Sequence, residues 1–203
     1  MEQFTYQEKC NGENLEKYEW DNLWWEYAND TEKDRVLIVG DSISCGYRGF
    51  VNKQLAGKVY VDGLGTSKAI DNPKLLELID YVISQQHNNC KMIFFNSGLH
   101  GWHLNADEYK ENYVKVIKHI INNHPDKKLS LILTTPTRDD RIEDIKQRNI
   151  AATEIANKEG LEVVDLYATL YGKDELYEDK VHLIDDGYNM LAQVVTSYIR
   201  NSL

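Results

Sequence analysis

The sequence predicts a three-layer α/β/α sandwich built on five parallel strands. Three observations carry this. Short apolar runs recur along the chain, each ending at Gly, Asn, Thr or Asp. Longer segments between them place apolar residues three and four apart. The two patterns alternate from Arg35 onward, and strands alternating with helices through right-handed crossovers give a parallel sheet covered on both sides.

The first strand is Val36-Leu37-Ile38-Val39, which reads as buried on both faces because no polar residue interrupts it. Gly40-Asp41-Ser42 follows, and Tyr47 to Leu55 reads as a short helix closed by Gly57. Lys58-Val59-Tyr60-Val61 is the second strand, with Asp62 to Ser67 read as its exit. Pro73 opens a helix at a position where its missing N–H costs little, and Leu75, Leu76, Ile79, Val82 and Ile83 give that helix one apolar face. Met92-Ile93-Phe94-Phe95 is the third strand and runs into Asn96-Ser97-Gly98-Leu99-His100. Asn105 and Glu108 form a capping pair for a helix burying Tyr109, Tyr113, Val116, Ile117 and Ile120. Leu129 to Leu133 is the fourth strand, and a long helix from about Asp139 is stopped by Gly160. Leu161 to Asp165 is the fifth strand, and the last helix carries Leu191, Val195 and Ile199.

The chain has 203 residues, enough for one core. Residues 35–203 read as that domain. Residues 1–34 read as an aromatic-rich arm packing on it through Trp20, Trp24, Trp25 and Tyr27. Whether one of these tryptophans lines a substrate groove stays open. The net charge of -10 argues against a nucleic-acid or anionic-membrane partner, since either needs a basic face. No apolar run is long enough for a membrane span, and no signal peptide is visible. Three widely spaced cysteines (Cys10, Cys45, Cys90) fit reduced thiols in a cytoplasm, and none has zinc-like spacing.

In an open parallel sheet, ligands bind at the carboxyl ends of the strands. The strand exits therefore converge on one rim, and Ser42 stands there as a candidate nucleophile if a base reaches it. The competing reading of Ser42 is a plain helix cap. His182 lies in the loop before the last helix, with Asp179 three residues earlier. In a turn, that spacing folds the carboxylate back onto the ring N–H and fixes the tautomer. Loss of the His182 base by protonation predicts activity falling toward acid.

Gly40-Asp41-Ser42 after the first strand, with Asp179-x-x-His182 before the last helix, resembles the SGNH (GDSL-type) hydrolases, in particular their carbohydrate-esterase members. The resemblance covers Arg35 to Leu203. It implies a flavodoxin-like sandwich and a metal-free, cofactor-free esterase site. In that site Ser42 is the nucleophile, His182 the base and then the acid, and Asp179 the orienter. The resemblance also implies an oxyanion hole formed by the Ser42 N–H, by Gly65 or Ser67, and by Asn96. The family's third block is normally Gly-x-Asn-Asp; here it reads Asn96-Ser97-Gly98-Leu99-His100, so His100 is the alternative third donor.

Asp41, His100, Trp102, His103 and Arg138 are the remaining candidates for substrate contact. His100 and His103 lack a carboxylate or Cys to complete a metal set. Arg148-Asn149 reads as a brace for the loops, and Cys45 as a small buried side chain. The substrate expected is a small-molecule ester with a short acyl group, acetyl on a carbohydrate. A lysophospholipase or thioesterase, and a non-catalytic glycan-binding module of the same fold, are the alternatives. A flavodoxin-like nucleotide binder lacks the Gly-x-Gly-x-x-Gly turn after the first strand.

Overall fold

The computed structural model describes residues 15–203. Cys10 and the first fourteen residues of the expected arm lie outside the described residues. The elements run β1 (Asp21–Trp24), β2 (Arg35–Gly40), α1 (Ser42–Leu55), β3 (Tyr60–Thr66), α2 (Lys74–Ser84), β4 (Cys90–Phe95), α3 (Ala106–Asn123), β5 (Lys128–Ile132), α4 (Ile142–Glu159), β6 (Glu162–Val164), α5 (Leu166–Leu170) and α6 (Asp185–Ser202).

The sheet has six strands in the order β1-β3-β2-β4-β5-β6. Five are parallel, and β1 pairs antiparallel with β3. The expectation of five purely parallel strands is corrected by β1. That strand is four residues long with no apolar run of its own (Asp-Asn-Leu-Trp), so periodicity could not find it. It forms because β3 offers an unpaired edge, and pairing satisfies the backbone groups of both.

β2 fills the centre, and all six of its residues are buried. Alternation splits its side chains between two cores. Val36 and Ile38 face α1, α5 and α6 with Tyr47, Leu166 and Leu191. Leu37 and Val39 face α2, α3 and α4 with Ile79, Ile117 and Ile155. Asn105 and Glu108 form the expected capping box on α3, and Gly160 ends α4 in the left-handed conformation, φ 69°. Among the described residues no helix is long and apolar enough to cross a membrane.

Two boundaries move in ways that matter for the rim. Helix α1 begins at Ser42, five residues before the expected Tyr47, because Asp41 caps it by accepting from the Ile43 N–H at 3.0 Å. Strand β3 continues to Thr66, so Asp62 to Gly65 are sheet residues and not an exit loop. Asp62 is fully buried and paired with Arg35 at 2.9 Å. Gly63 and Gly65 serve close packing here. A Cβ at Gly63 would lie 2.6 Å from Arg48 Cδ, and one at Gly65 would lie 2.1 Å from Cys45 Sγ.

Candidate active site

The strand-to-helix junction at β2–α1 puts Ser42 in the first turn of α1, where backbone N–H groups have no partner within the helix. Its Oγ lies 2.9 Å from His182 Nε2. On the other side of the ring, Nδ1 lies 2.9 Å from Asp179 Oδ2. An imidazole donating from Nδ1 to that carboxylate keeps Nε2 free to accept the Ser42 proton. Residues 140 apart in sequence are thus joined in one relay.

The loop that carries the pair is a small hairpin. Tyr177 bridges Leu183 in antiparallel fashion. The Glu178 N–H donates to the His182 carbonyl at 2.9 Å, and the Ile184 N–H to the Leu176 carbonyl at 2.9 Å. Asp179 Oδ1 accepts from the N–H groups of Val181 and His182, both at 2.7 Å. The hydrogen bond from the His182 ring, helped by these two backbone donors, holds the Asp179 carboxyl down to about 2. Asp179 is therefore a fixed anion at any working pH.

Two contacts bring this hairpin to Ser42, and sequence reasoning missed the first of them. Gly46 on α1 receives the ring of Tyr188 on α6, and a Cβ there would lie 2.2 Å from Tyr188 Cε1. The missing side chain lets α6 close on α1. The second contact is Arg138, whose backbone N–H donates to the Lys180 carbonyl at 2.8 Å. Tyr177 adds a hydrogen bond from its hydroxyl to the Pro136 carbonyl at 2.7 Å. Both tie the hairpin to the exit of β5. The Arg138 side chain lies beside Asp174 and Tyr177, where it braces this loop.

The other expected site residues are distributed as follows. Asp41 is buried and caps α1 through Oδ1, and it lines the two small cavities behind the β2 exit. Burial pushes its carboxyl up, against the pull of nearby His100 and the Ile43 N–H. Asn96 gives its amide hydrogens to the Ile132 carbonyl at 2.8 Å and Thr134 Oγ1 at 2.9 Å, which leaves neither for an oxyanion. The Ser67 N–H is taken by the Trp20 carbonyl at 3.1 Å, and Ser67 Oγ accepts from the Trp20 N–H at 2.8 Å. Gly65 sits inside β3, paired in register with Gly40 and Asn22. These three expected donors therefore serve the fold, each drawn into pairing that the sequence did not reveal.

His100 is differently placed. It lines a small cavity with Gly40 and Asp41. Its Nδ1 lies 3.6 Å from Glu16 Oε1, and the Trp20 ring meets it edge-on with centroids 6.3 Å apart. Glu16 also accepts from the Gly101 N–H at 2.8 Å. The chain before β1 thus folds over the loop after β4. Arg148 holds the same loop from beneath, donating to the carbonyls of Gly98, His100 and Gly101 at 3.0, 2.6 and 2.8 Å. Asn149 does the same for the β5 exit, bonding the Thr134 N–H and carbonyl at 2.8 and 2.9 Å.

Trp102 packs under the guanidinium groups of Arg141 and Arg148, 4.6 and 4.2 Å from its ring. His103 pairs with Asp71 at 3.0 Å. Among the described residues, no hydrogen bond or ring contact joins either of them to Ser42, His182 or Asp179. Burial pushes the Cys45 thiol up, so it is not an activated thiolate. Among the described residues no cluster of His, Cys, Asp or Glu could hold a metal ion.

No family model matches the sequence, and no curated protein does. Solved structures do match. A GDSL-like lipase from Bacteroides thetaiotaomicron superposes with a TM-score of 0.69 at 16% identity, over 86% of this chain and 91% of that one. A carbohydrate acetylesterase from Sinorhizobium meliloti gives 0.68 at 14%, over 84% and 100%. A lipase/acylhydrolase from Enterococcus faecalis gives 0.67 at 22%, over 83% and 96%.

Proposed function

From a fold shared with the SGNH (GDSL-type) hydrolases, we propose that this chain is a serine esterase working through an acyl-Ser42 intermediate. The observation that carries the reading is the Ser42–His182–Asp179 relay, with both links at 2.9 Å. His182 Nε2 takes the Ser42 proton as Oγ attacks the ester carbonyl. It then hands that proton to the leaving alcohol. Water activated by the same nitrogen attacks the acyl-enzyme and releases the acid. Asp179 stabilises the imidazolium in both halves without taking a proton.

The oxyanion would be met by the Ser42 N–H at the start of α1, where the helix dipole also favours negative charge. His100 is the second donor we assign, since the Asn96 hydrogens are committed to Ile132 and Thr134. We take the acyl group to be short: the two cavities that reach Asp41, each about 10 Å³, add no room for a long chain behind the β2 exit. A non-catalytic binding module would leave Ser42 Oγ beyond reach of His182, and the 2.9 Å contact speaks against it.

The test is hydrolysis of p-nitrophenyl acetate and p-nitrophenyl octanoate by the wild type and Ser42→Ala. Acetate turnover that disappears in Ser42→Ala is the expected result. Turnover that survives the substitution would overturn the assignment of the nucleophile, and a preference for octanoate would overturn the short-acyl reading.

A further inference from the structure

We propose that a groove along the outer face of α1 binds the alcohol part of the substrate, and that this alcohol is an oligosaccharide. The proposal rests on the esterase reading and adds a substrate site to it. Two depressions, of about 260 and 550 Å³, share Glu26, Gly49, Asn52 and Lys53 and so form one continuous groove. One end reaches Cys45 and Gly46, one helical turn beyond Ser42, and the other reaches Gly57 and Tyr60. At ~1.5 Å per residue, the stretch of α1 from Ser42 to Lys53 is about 16 Å long, the span of a few sugar rings. The Cys45–Gly46 end of the groove thus lies about one helical turn, ~5 Å along the axis, from Ser42.

Three features of the lining favour a sugar. First, the walls carry aromatic rings with open faces. Trp24 is 49% exposed and Tyr27 is 65% exposed. One face of Trp24 carries the Arg48 guanidinium at 5.0 Å, which steadies the ring. Pyranose rings present flat C–H surfaces that pack on such faces, and the indole costs little entropy to hold.

Second, polar groups stand among these rings. The Glu26 carboxylate accepts from Trp24 Nε1 at 2.9 Å and Asn52 Nδ2 at 3.4 Å, and Lys53 sits opposite on α1. An apolar wall with a few fixed polar groups suits a hydroxyl-rich ligand. A lipid chain laid there would strip water from the charges of Glu26 and Lys53 and return no hydrogen bond, whereas sugar hydroxyls return them.

Third, Gly49 has no role in the fold. It lies inside α1 with ordinary helical backbone, and a Cβ there would meet nothing within 4 Å. Glycine in a helix interior costs ~0.5–1 kcal/mol relative to Ala. Gly46 and Gly63 repay that cost through Tyr188 and Arg48, but Gly49 repays nothing internally. An open floor for a ligand accounts for it.

The experiment compares partly acetylated xylotetraose and cellotetraose, which keep free hydroxyls, with the monoacetylated monosaccharides, as kcat/KM per acetyl group. Wild type, Gly49→Leu and Trp24→Ala are measured, each with p-nitrophenyl acetate as its internal reference. The wild type is expected to prefer at least one tetraose over its monosaccharide by about tenfold or more, the scale of one well-packed aromatic contact. Both variants are expected to lose that preference. No gain from monosaccharide to tetraose in the wild type, or the same gain in all three proteins, overturns the groove. Failure of the esterase reading is seen separately, as p-nitrophenyl acetate turnover that does not depend on Ser42.

Discussion

Replacing Asp179 by Asn tests the relay at its most informative atom. The Asn side-chain oxygen can keep the bonds that Oδ1 accepts from Val181 and His182, both 2.7 Å, so the hairpin turn survives. The amide NH2 then stands where Oδ2 stood, 2.9 Å from His182 Nδ1. An NH2 cannot accept, so Nδ1 must lose its proton and Nε2 must carry one. Nε2 then points a donor at Ser42 Oγ and cannot act as its base. In buried triads this change of tautomer costs ~10⁴ in kcat. Here the His182 and Asp179 side chains are 43% and 57% exposed, so water competes for the ring. We therefore expect a loss of about 10³, roughly 4 kcal/mol of activation free energy at ~1.36 kcal/mol per tenfold. The assay is kcat for p-nitrophenyl acetate, with the urea midpoint measured in parallel to show an intact fold. Raising the pH should not restore the rate, because the fault lies in the tautomer and not in protonation. A loss below tenfold with an unchanged urea midpoint would refute the orienting role of Asp179.

Other expectations follow from the same contacts. Activity should fall toward acid as the general base is lost, and Asp179, whose carboxyl is held down to about 2, should add no step of its own in the ordinary carboxylate range, measured as kcat/KM against pH. The stability that the Asp179 bonds contribute is present above the ordinary carboxylate range and is lost only as pH falls toward about 2; thermal melts across acid pH read this. His100→Ala should lower kcat by ~10²–10³ as an oxyanion donor is lost, whereas Asn96→Ala should lower the urea midpoint by breaking two buried bonds; equal kinetic effects would refute this division of roles. Gly46→Ala should destabilise by ~1–3 kcal/mol through overpacking against Tyr188, while Gly49→Ala, with open space at its Cβ, should stabilise by ~0.5–1 kcal/mol.

The sequence by itself determined the strand and helix order, because that information is local. An unbroken apolar run such as Val36 to Val39 has one good solution, a strand buried on both faces. Asn105 with Glu108, and Gly160, mark helix ends through bonds and dihedrals within a few residues of themselves. The rim also followed, since parallel strands must exit on one side, and so did the identity of Ser42, His182 and Asp179 as candidates. Only the tertiary structure decided the distances that join them, because the Ser42–His182 contact depends on how closely α6 approaches α1 at Gly46. It also decided which donors are spent. Asn96 and Ser67 look available in sequence, yet each is spent on a partner far along the chain, and one oxygen of Asp41 goes to the cap that forms one residue after the strand. β1 was hidden for the same reason, since four residues without an apolar run become a strand only when the edge of β3 stands beside them. Hydrogen bonds to distant partners are settled by packing, and local patterning carries no record of them.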